Sequence, residues 1–315
     1  MKKVVVIGGG TGSYTVLKGL KNHNLDIVAI VSMSDDGGSS GILRDEFGVL
    51  PPGDLRKCIV ALSESTETMK EIFQYRFKNG CLQGHNLGNL LITALGDITG
   101  DYETAVEEVS KILNIKGQVL PVTFSNSRLC AELENGDIIV GETNIDIPKH
   151  DGNLKIKNIF LKPEATANMK AIDAISNADL IVIGPGDLYS SVLCNLVVKG
   201  VSDAIRNSNA KKVYICNLMT KFGETNNFMV SDFVKEIENY LGKGVLDYVI
   251  FNNSEMDANL LKQYENENAY PVRLDLEEAS RLNVGIILEN VITQPILIRH
   301  DSEKLANEIL KILEK

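Results

Sequence analysis

Short, wholly apolar runs alternate with stretches of helical spacing along most of this chain. Val4–Ile7 is an uninterrupted apolar run closed at once by glycines, the pattern of a central strand buried on both faces of a parallel sheet. Tyr14–Asn22 follows with Val16, Leu17 and Leu20 at helical spacing, and Asp26–Val31 reads as a second strand. The chain therefore opens on a βαβ unit. Helical spacing then dominates residues 42–113, through Asp54–Ser63, Met69–Phe77, Asn86–Leu95 and Tyr102–Leu113, the last with Asp101 as cap. From 119 to 162 the period changes to two. Leu129, Ala131 and Leu133 alternate up to Asn135-Gly136, and Ile138 and Val140 after it, which predicts an antiparallel hairpin insertion.

Alternation of strand and helix resumes with a helix over Ala165–Ser176, a strand at Leu180–Ile183 and a helix over Asn195–Asn207. A strand at Lys212–Asn217, a helix at Val230–Leu241, a strand at Tyr248–Asn252 and an amphipathic helix at Ser302–Glu314 complete the series. This order predicts an α/β fold, a Rossmann-like, mostly parallel sheet with helices on both faces. With no internal repeat and no low-complexity linker, residues 1–315 are expected to form one domain carrying the helical segment and the hairpin as insertions.

Composition narrows the partners. Hydrophobic residues make up 44% and charged residues 23%, which sets disorder aside. A net charge of −10 argues against nucleic acid or an anionic membrane, while leaving room for a local basic pocket around one phosphate. The five cysteines are odd in number, without a CxxC pair, and the apolar run after Met1 is too short for a secretory leader. Reduced thiols in a cytoplasmic protein are expected. No run approaches the roughly 18 apolar residues that span a bilayer. Four scattered histidines do not suggest a zinc site. Sheet edges and apolar helix faces are compatible with a homodimer.

Three loops of small and acidic residues leave the ends of apolar strands. The first is Gly8, Gly9, Gly10, Thr11 and Gly12; glycines let a phosphate approach the backbone, and the helix behind offers its free amides. Ser13 stands at the third glycine position of a dinucleotide fingerprint, and a tight turn without ligand is the alternative. The second loop, Asp35, Asp36, Gly37, Gly38, Ser39, Ser40 and Gly41, suits ribose, Mg²⁺ or a second phosphate, or else is a solvated turn. Arg44 and Arg56 nearby would neutralise phosphate or form surface ion pairs. Asp54 opens a helix and capping alone would explain it. His85, Asn86 and Asn89 put an imidazole and two carboxamides before an apolar helix, a dense set of donors and acceptors.

The third loop runs Gly184, Pro185, Gly186, Asp187, Leu188, Tyr189, Ser190 and Ser191, and repeats the logic of the first. Asn217, Thr220 and Glu224 follow the next strand, and polar residues at successive strand ends are what a pocket along the carboxyl edge requires. The catalytic residues are not identifiable: there is no GxSxG elbow, no Walker GxxxxGK[ST] and no HExxH.

Six ordered motifs resemble the YvcK branch of the YvcK/CofD family. They are Val6–Gly12, Ser34–Gly41, Pro51–Arg56, Gly84–Leu91, Gly184–Ser191 and Val213–Thr220. The resemblance implies a Rossmann-like fold that binds a nucleotide at the strand ends. The YvcK branch is the gluconeogenesis factor group, whose members bind UDP-sugars and are linked to carbon-source adaptation and cell-envelope morphogenesis. The CofD branch comprises Mg²⁺-dependent transferases that move phospholactate from a guanosine diphosphate donor to a deazaflavin. Asp187 stands where the YvcK branch more often has Ser, Lys221-Phe222 replaces its usual Gln-Pro before Gly223-Glu224-Thr225, and Cys194 replaces a proline.

Three functions are therefore weighed. The first is a cytosolic regulatory protein that binds a UDP-sugar without turnover, using the loop residues above. The second is a CofD-like transferase with Mg²⁺ on Asp35, Asp36 or Asp187 and a nucleotide diphosphate donor. The third, an NAD(P)-dependent oxidoreductase, is weakened by Ser13 and by the lack of a hydride-transfer constellation.

Overall fold

The apolar opening of the chain lies at the centre of the molecule. In the computed structural model, which describes Met1–Lys315, β1 (Lys2–Gly8) is buried from Val4 through Ile7. The further strands are β2 (Leu25–Val31), β3 (Gln118–Pro121), β4 (Arg128–Leu133), β5 (Ile138–Val140) and β6 (Ile156–Lys162). β7 (Leu180–Ile183), β8 (Lys211–Ile215), β9 (Tyr248–Asn252) and β10 (Gly285–Glu289) follow. Seven strands form one parallel sheet in the order β10-β9-β8-β7-β1-β2-β3. Val4 pairs with Ile27 on one side and Leu180 on the other. From β1 the chain moves one way to β2 and later the other way through β7 to β10. The connections after β1 and β7 therefore diverge and leave a crevice at the carboxyl edge.

Helices flank this sheet. α1 (Gly10–Leu20) follows β1, and α2 (Gly38–Phe47), α3 (Gly53–Leu62), α4 (Glu67–Gln74), α5 (Leu87–Thr99) and α6 (Tyr102–Ile112) account for the helical segment expected over 42–113. α1 packs against α3 and against the closing helix Ser302–Glu314. One buried cluster of 70 apolar residues joins sheet and helices, and a second, of Leu218, Ile292 and Ile298, lies beside Met219 and Tyr264. No helix is long and apolar enough to cross a membrane.

The antiparallel insertion is a three-stranded sheet, β5-β4-β6, in which Cys130 faces both Val140 and Phe160. It also carries a short helix, α7 (Glu142–Asp146). The start of the expected 119–162 insertion belongs elsewhere: β3 joins the parallel sheet beside β2, where Val119 is buried in the common core. Helix boundaries also differ: the helices expected over Met69–Phe77 and Asn86–Leu95 run Glu67–Gln74 and Leu87–Thr99, and three others shift further. α1 begins at Gly10 and not Tyr14, so its first turn is made of the glycine loop itself. The helix expected from Ala165 starts at Met169, where the Asn168 side chain accepts the Lys170 amide at 2.9 Å. The helix expected over 195–207 is broken at Gly200 (φ +99°) into Cys194–Leu196 and Val201–Asn207, preceded by a π-helix at Leu188–Leu193. β10 was not anticipated from the apolar pattern.

Candidate functional site

The glycine loops after β1 and β7 touch. A side-chain carbon on Gly12 would lie 1.9 Å from the Pro185 carbonyl oxygen, so only glycine lets the two backbones approach this closely. Gly10 adopts φ +63°, and no atom comes within 3.8 Å of where its Cβ would stand. The Asn217 carboxamide donates to the Gly186 carbonyl at 2.8 Å and accepts the Tyr214 hydroxyl at 2.9 Å, which ties the loop after β8 to the same frame.

Together these loops floor a cavity of about 460 Å³, within the usual range for small-molecule sites. Its middle is Gly9, Gly10, Thr11, Gly12, Pro185, Gly186, Asp187 and Ser191. Toward β2 it is lined by Asp35, Asp54, Lys57, Glu142 and Asp146. Toward β8 and β9 it is lined by Asn217, Leu218, Met219, Tyr264, Ile298, Arg299 and His300. The first turn of α1 leaves its amides free at the floor, and a helix N-terminus with unpaired N–H groups favours an anion.

The β2 side is crowded with acid. Asp54 is not a cap, since the helix start at Pro52 has no side-chain cap; it binds the Lys57 ammonium at 3.0 Å. Burial and then the charge of Asp54 raise the Asp35 carboxyl above its ordinary range. Burial, followed by Asp146, Asp35 and Asp54, pushes Glu142 up to about 9, so its carboxyl is protonated at neutral pH. On the opposite side, burial pulls His300 down to about 4 and keeps its imidazole neutral.

The sign of the Glu142 shift fixes a stability prediction. A carboxyl whose folded value is raised opposes folding once the unfolded chain ionises. Its effect is absent below about pH 4.5, grows through the window up to about 9, and is complete above it. Glu142→Gln should therefore match the parent at pH 4.5 and exceed it by roughly 2 kcal/mol or more at pH 9. Thermal unfolding of both proteins across that range checks this; a gap that stays flat or narrows with pH would contradict it.

Other polar residues singled out in the sequence lie behind the cavity wall. Asp36 accepts the Glu142 and Thr143 amides at 3.1 and 2.8 Å and meets Arg128, so it anchors α7. Gly37 and Gly38 start α2, and Ser39 and Ser40 are buried in its first turn. Arg44 and Arg56 are not phosphate ligands facing the cavity. Arg44 donates to Asn126 and the Ser127 carbonyl, and Arg56 to Asn89 at 2.8 Å and the Phe73 carbonyl at 3.1 Å. His85 Nδ1 lies 3.4 Å from the Ser39 hydroxyl, Asn86 caps α5, and Asn89 reaches Ser40. Ser39, Ser40, Arg56, Asn86 and Asn89 form one buried polar layer that holds α2, α3 and α5 together, with the half-buried His85 beside it, while Arg44 ties α2 to the loop after β3.

On the other side, Gly8 and Gly184 frame the crevice, with the Gly184 amide donating to the Ile7 carbonyl at 2.9 Å. Leu188, Tyr189 and Ser190 are buried in the π-helix. Glu224, its side chain fully covered, accepts the Tyr189 amide and the Ser190 hydroxyl, both at 3.1 Å. Thr220 exchanges hydrogen bonds with the backbone of Tyr270.

Several lining residues were absent from the sequence reading. Lys57 stands one helical turn after Asp54, and Glu142 with Asp146 form an i,i+4 acid pair, so each carried a local signal. Leu218 and Met219 lay inside a quoted motif. Tyr264, Ile298, Arg299 and His300 carried none.

Comparison with known proteins agrees with this architecture. The family described as 2-phospho-L-lactate transferase CofD matches residues 4–292. A Nostoc sp. protein is 48% identical over 98% of this chain and 68% of its own length. The gluconeogenesis factor of Bacillus subtilis is 42% identical, over 99% of this chain and 98% of its own. A crystal structure of a UPF0052 family member from Bacillus halodurans superposes with a TM-score of 0.94 at 42% identity, covering 98% of both chains. The chain thus belongs to the CofD-like family of gluconeogenesis factors, the YvcK group.

Proposed function

We propose that the cavity binds a nucleotide sugar, a UDP-sugar, and that the protein is a cytoplasmic regulatory binder of it. The observation that carries this reading is the division of the cavity into three parts. The base would stack on Tyr264 among Leu218, Met219 and Ile298, with Arg299 at the rim. The diphosphate would sit over the amides of Gly10–Gly12, beside the Lys57 ammonium. The sugar hydroxyls would donate to Asp35 and Asp146 and meet the Glu142 carboxyl. The relatives' name, gluconeogenesis factor, supports a role in carbon metabolism, and the YvcK resemblance extends the proposal to cell-envelope morphogenesis.

Calorimetric titration with UDP-glucose tests this. Saturable binding with the ligand recovered intact after long incubation is the expected result. Steady release of UMP or UDP would replace the regulatory reading with an enzymatic one.

The match to a transferase family favours a second reading, a CofD-like enzyme using a nucleotide diphosphate donor. In that reading Asp35 and Asp54, two cavity carboxylates in each other's field, would hold a Mg²⁺ ion once the Lys57 ammonium has moved off Asp54. The ion would supply charge neutralisation at the diphosphate. Asp36 does not fit, since both its oxygens are engaged by α7. Metal-dependent consumption of a donor would establish this alternative, and an inert donor with and without Mg²⁺ would remove it.

A further inference from the structure

Three carboxylates from distant segments meet at the wall of the cavity: Asp146 from α7, Asp187 from the loop after β7, and Glu224 from the loop after β8. Their nearest oxygens all lie within 4.8 Å of one another, a spacing at which carboxylates ordinarily share a divalent cation. Here the Lys221 ammonium is among them. It lies 2.9 Å from Asp187, 3.7 Å from Glu224 and in hydrogen-bond contact with Asp146.

We propose that Lys221 is a positioning residue whose tethered ammonium takes the place of a divalent ion in this cluster and so fixes the loop that carries Asp187 at the cavity. An ammonium has three donors and no acceptor; here it donates to Asp146 and Asp187 and pairs with the charge of Glu224. The local fold aims it there. The Lys221 amide donates to Thr225 Oγ1 at 2.9 Å, and the Glu224 and Thr225 amides return to the Lys221 carbonyl at 3.1 and 2.8 Å. This tight turn sets Lys221 and Glu224 on one side. Glu224 carries the constraint onward, because it also holds the Tyr189 amide and Ser190 hydroxyl at the start of the π-helix.

Electrostatics agree with the geometry. Burial alone would lower the Lys221 ammonium, but Glu224, Asp187 and Asp146 together raise it, so it stays protonated. Burial, and next Asp187, push Glu224 up to about 7. Without the ammonium, these carboxylates would have to protonate or take up a cation.

The first arm of the test uses no nucleotide, so it stands whether or not a UDP-sugar binds. Mn²⁺ is titrated at pH 8, with electron paramagnetic resonance as readout, into the full-length parent, Lys221→Met, Asp187→Asn and the double variant. Lys221→Met should gain a Mn²⁺ site at least about tenfold tighter than any in the parent, and Asp187→Asn should remove the gained site. The second arm rests on the proposed function: UDP-glucose affinity should fall about tenfold in Lys221→Met under EDTA and recover with Mn²⁺, but not in the double variant. A folded Lys221→Met protein that gains no site would overturn the proposal. Should that variant not fold, the parent decides: Mn²⁺ binding indifferent to Asp187→Asn supports a filled cluster, and binding lost with Asp187→Asn refutes it.

Discussion

Gly12→Ala will lower the free energy of unfolding by about 2–4 kcal/mol and, with it, remove the proposed nucleotide-sugar binding. The added methyl would stand 1.9 Å from the Pro185 carbonyl oxygen and 2.5 Å from its carbon. Neither atom is the far end of a flexible side chain. Both belong to a backbone held to β1 through the Gly184–Ile7 hydrogen bond and to the loop after β8 through Asn217. Relief must come from moving one glycine loop off the other, which pulls apart the middle of the cavity. Gly96→Ala is the matched control. That glycine lies inside α5 with nothing within 4 Å of its missing Cβ, and alanine there should be neutral or stabilise by up to about 1 kcal/mol. Denaturant unfolding and UDP-glucose titration of both variants check the pair. A Gly12→Ala protein as stable as its parent would show that the loops are not interlocked.

The second large effect is expected from Lys57→Ala. This ammonium binds Asp54 at 3.0 Å and is held protonated because the charge of Asp54, and the hydrogen bond to it, outweigh burial. In the proposed complex its loss leaves Asp35 and Asp54 facing the diphosphate without a cation. The expected cost is about 2–4 kcal/mol of binding, a fall in UDP-glucose affinity of roughly 30- to 1000-fold. Uridine, which carries no phosphate, should be held about as well as before. The double variant Lys57→Ala/Asp54→Asn should regain part of the loss, because it removes the charge left uncompensated. Equal losses for uridine and UDP-glucose would place the phosphates away from Lys57.

The sheet and the glycine turns at its carboxyl edge were legible in the sequence because their signals are local. Val4–Ile7 and Leu180–Ile183 are apolar on every residue, and each runs straight into glycine. Only a strand buried on both faces and turning sharply at its end needs that combination. The polar residues around them were less legible, since a guanidinium or carboxamide looks the same in sequence whether it faces a ligand or the interior. Arg44, Arg56, His85 and Asn89 carry the donors and acceptors a ligand would use, yet spend them on α2, α3, α5 and neighbouring loops. The acidic side of the cavity was hidden for another reason. Glu142 and Asp146 come from an insertion whose period of two spoke only of strands, and its packing against the π-helix is a long-range event. Tyr264 and Ile298–His300 reach the cavity from the end of the chain through the small cluster around Leu218, which no local pattern announces.

The central claim is that the segments after β1, β7 and β8 act as one receptor for an anionic nucleotide. Amide hydrogen exchange of the intact protein, with and without saturating UDP-glucose, measures it directly. Slower exchange at Gly9–Gly12, at Gly186–Ser191 and at Asn217–Met219, all appearing at the same ligand concentration, is the predicted result. Protection confined to one of these segments, or lying outside all three, would contradict it.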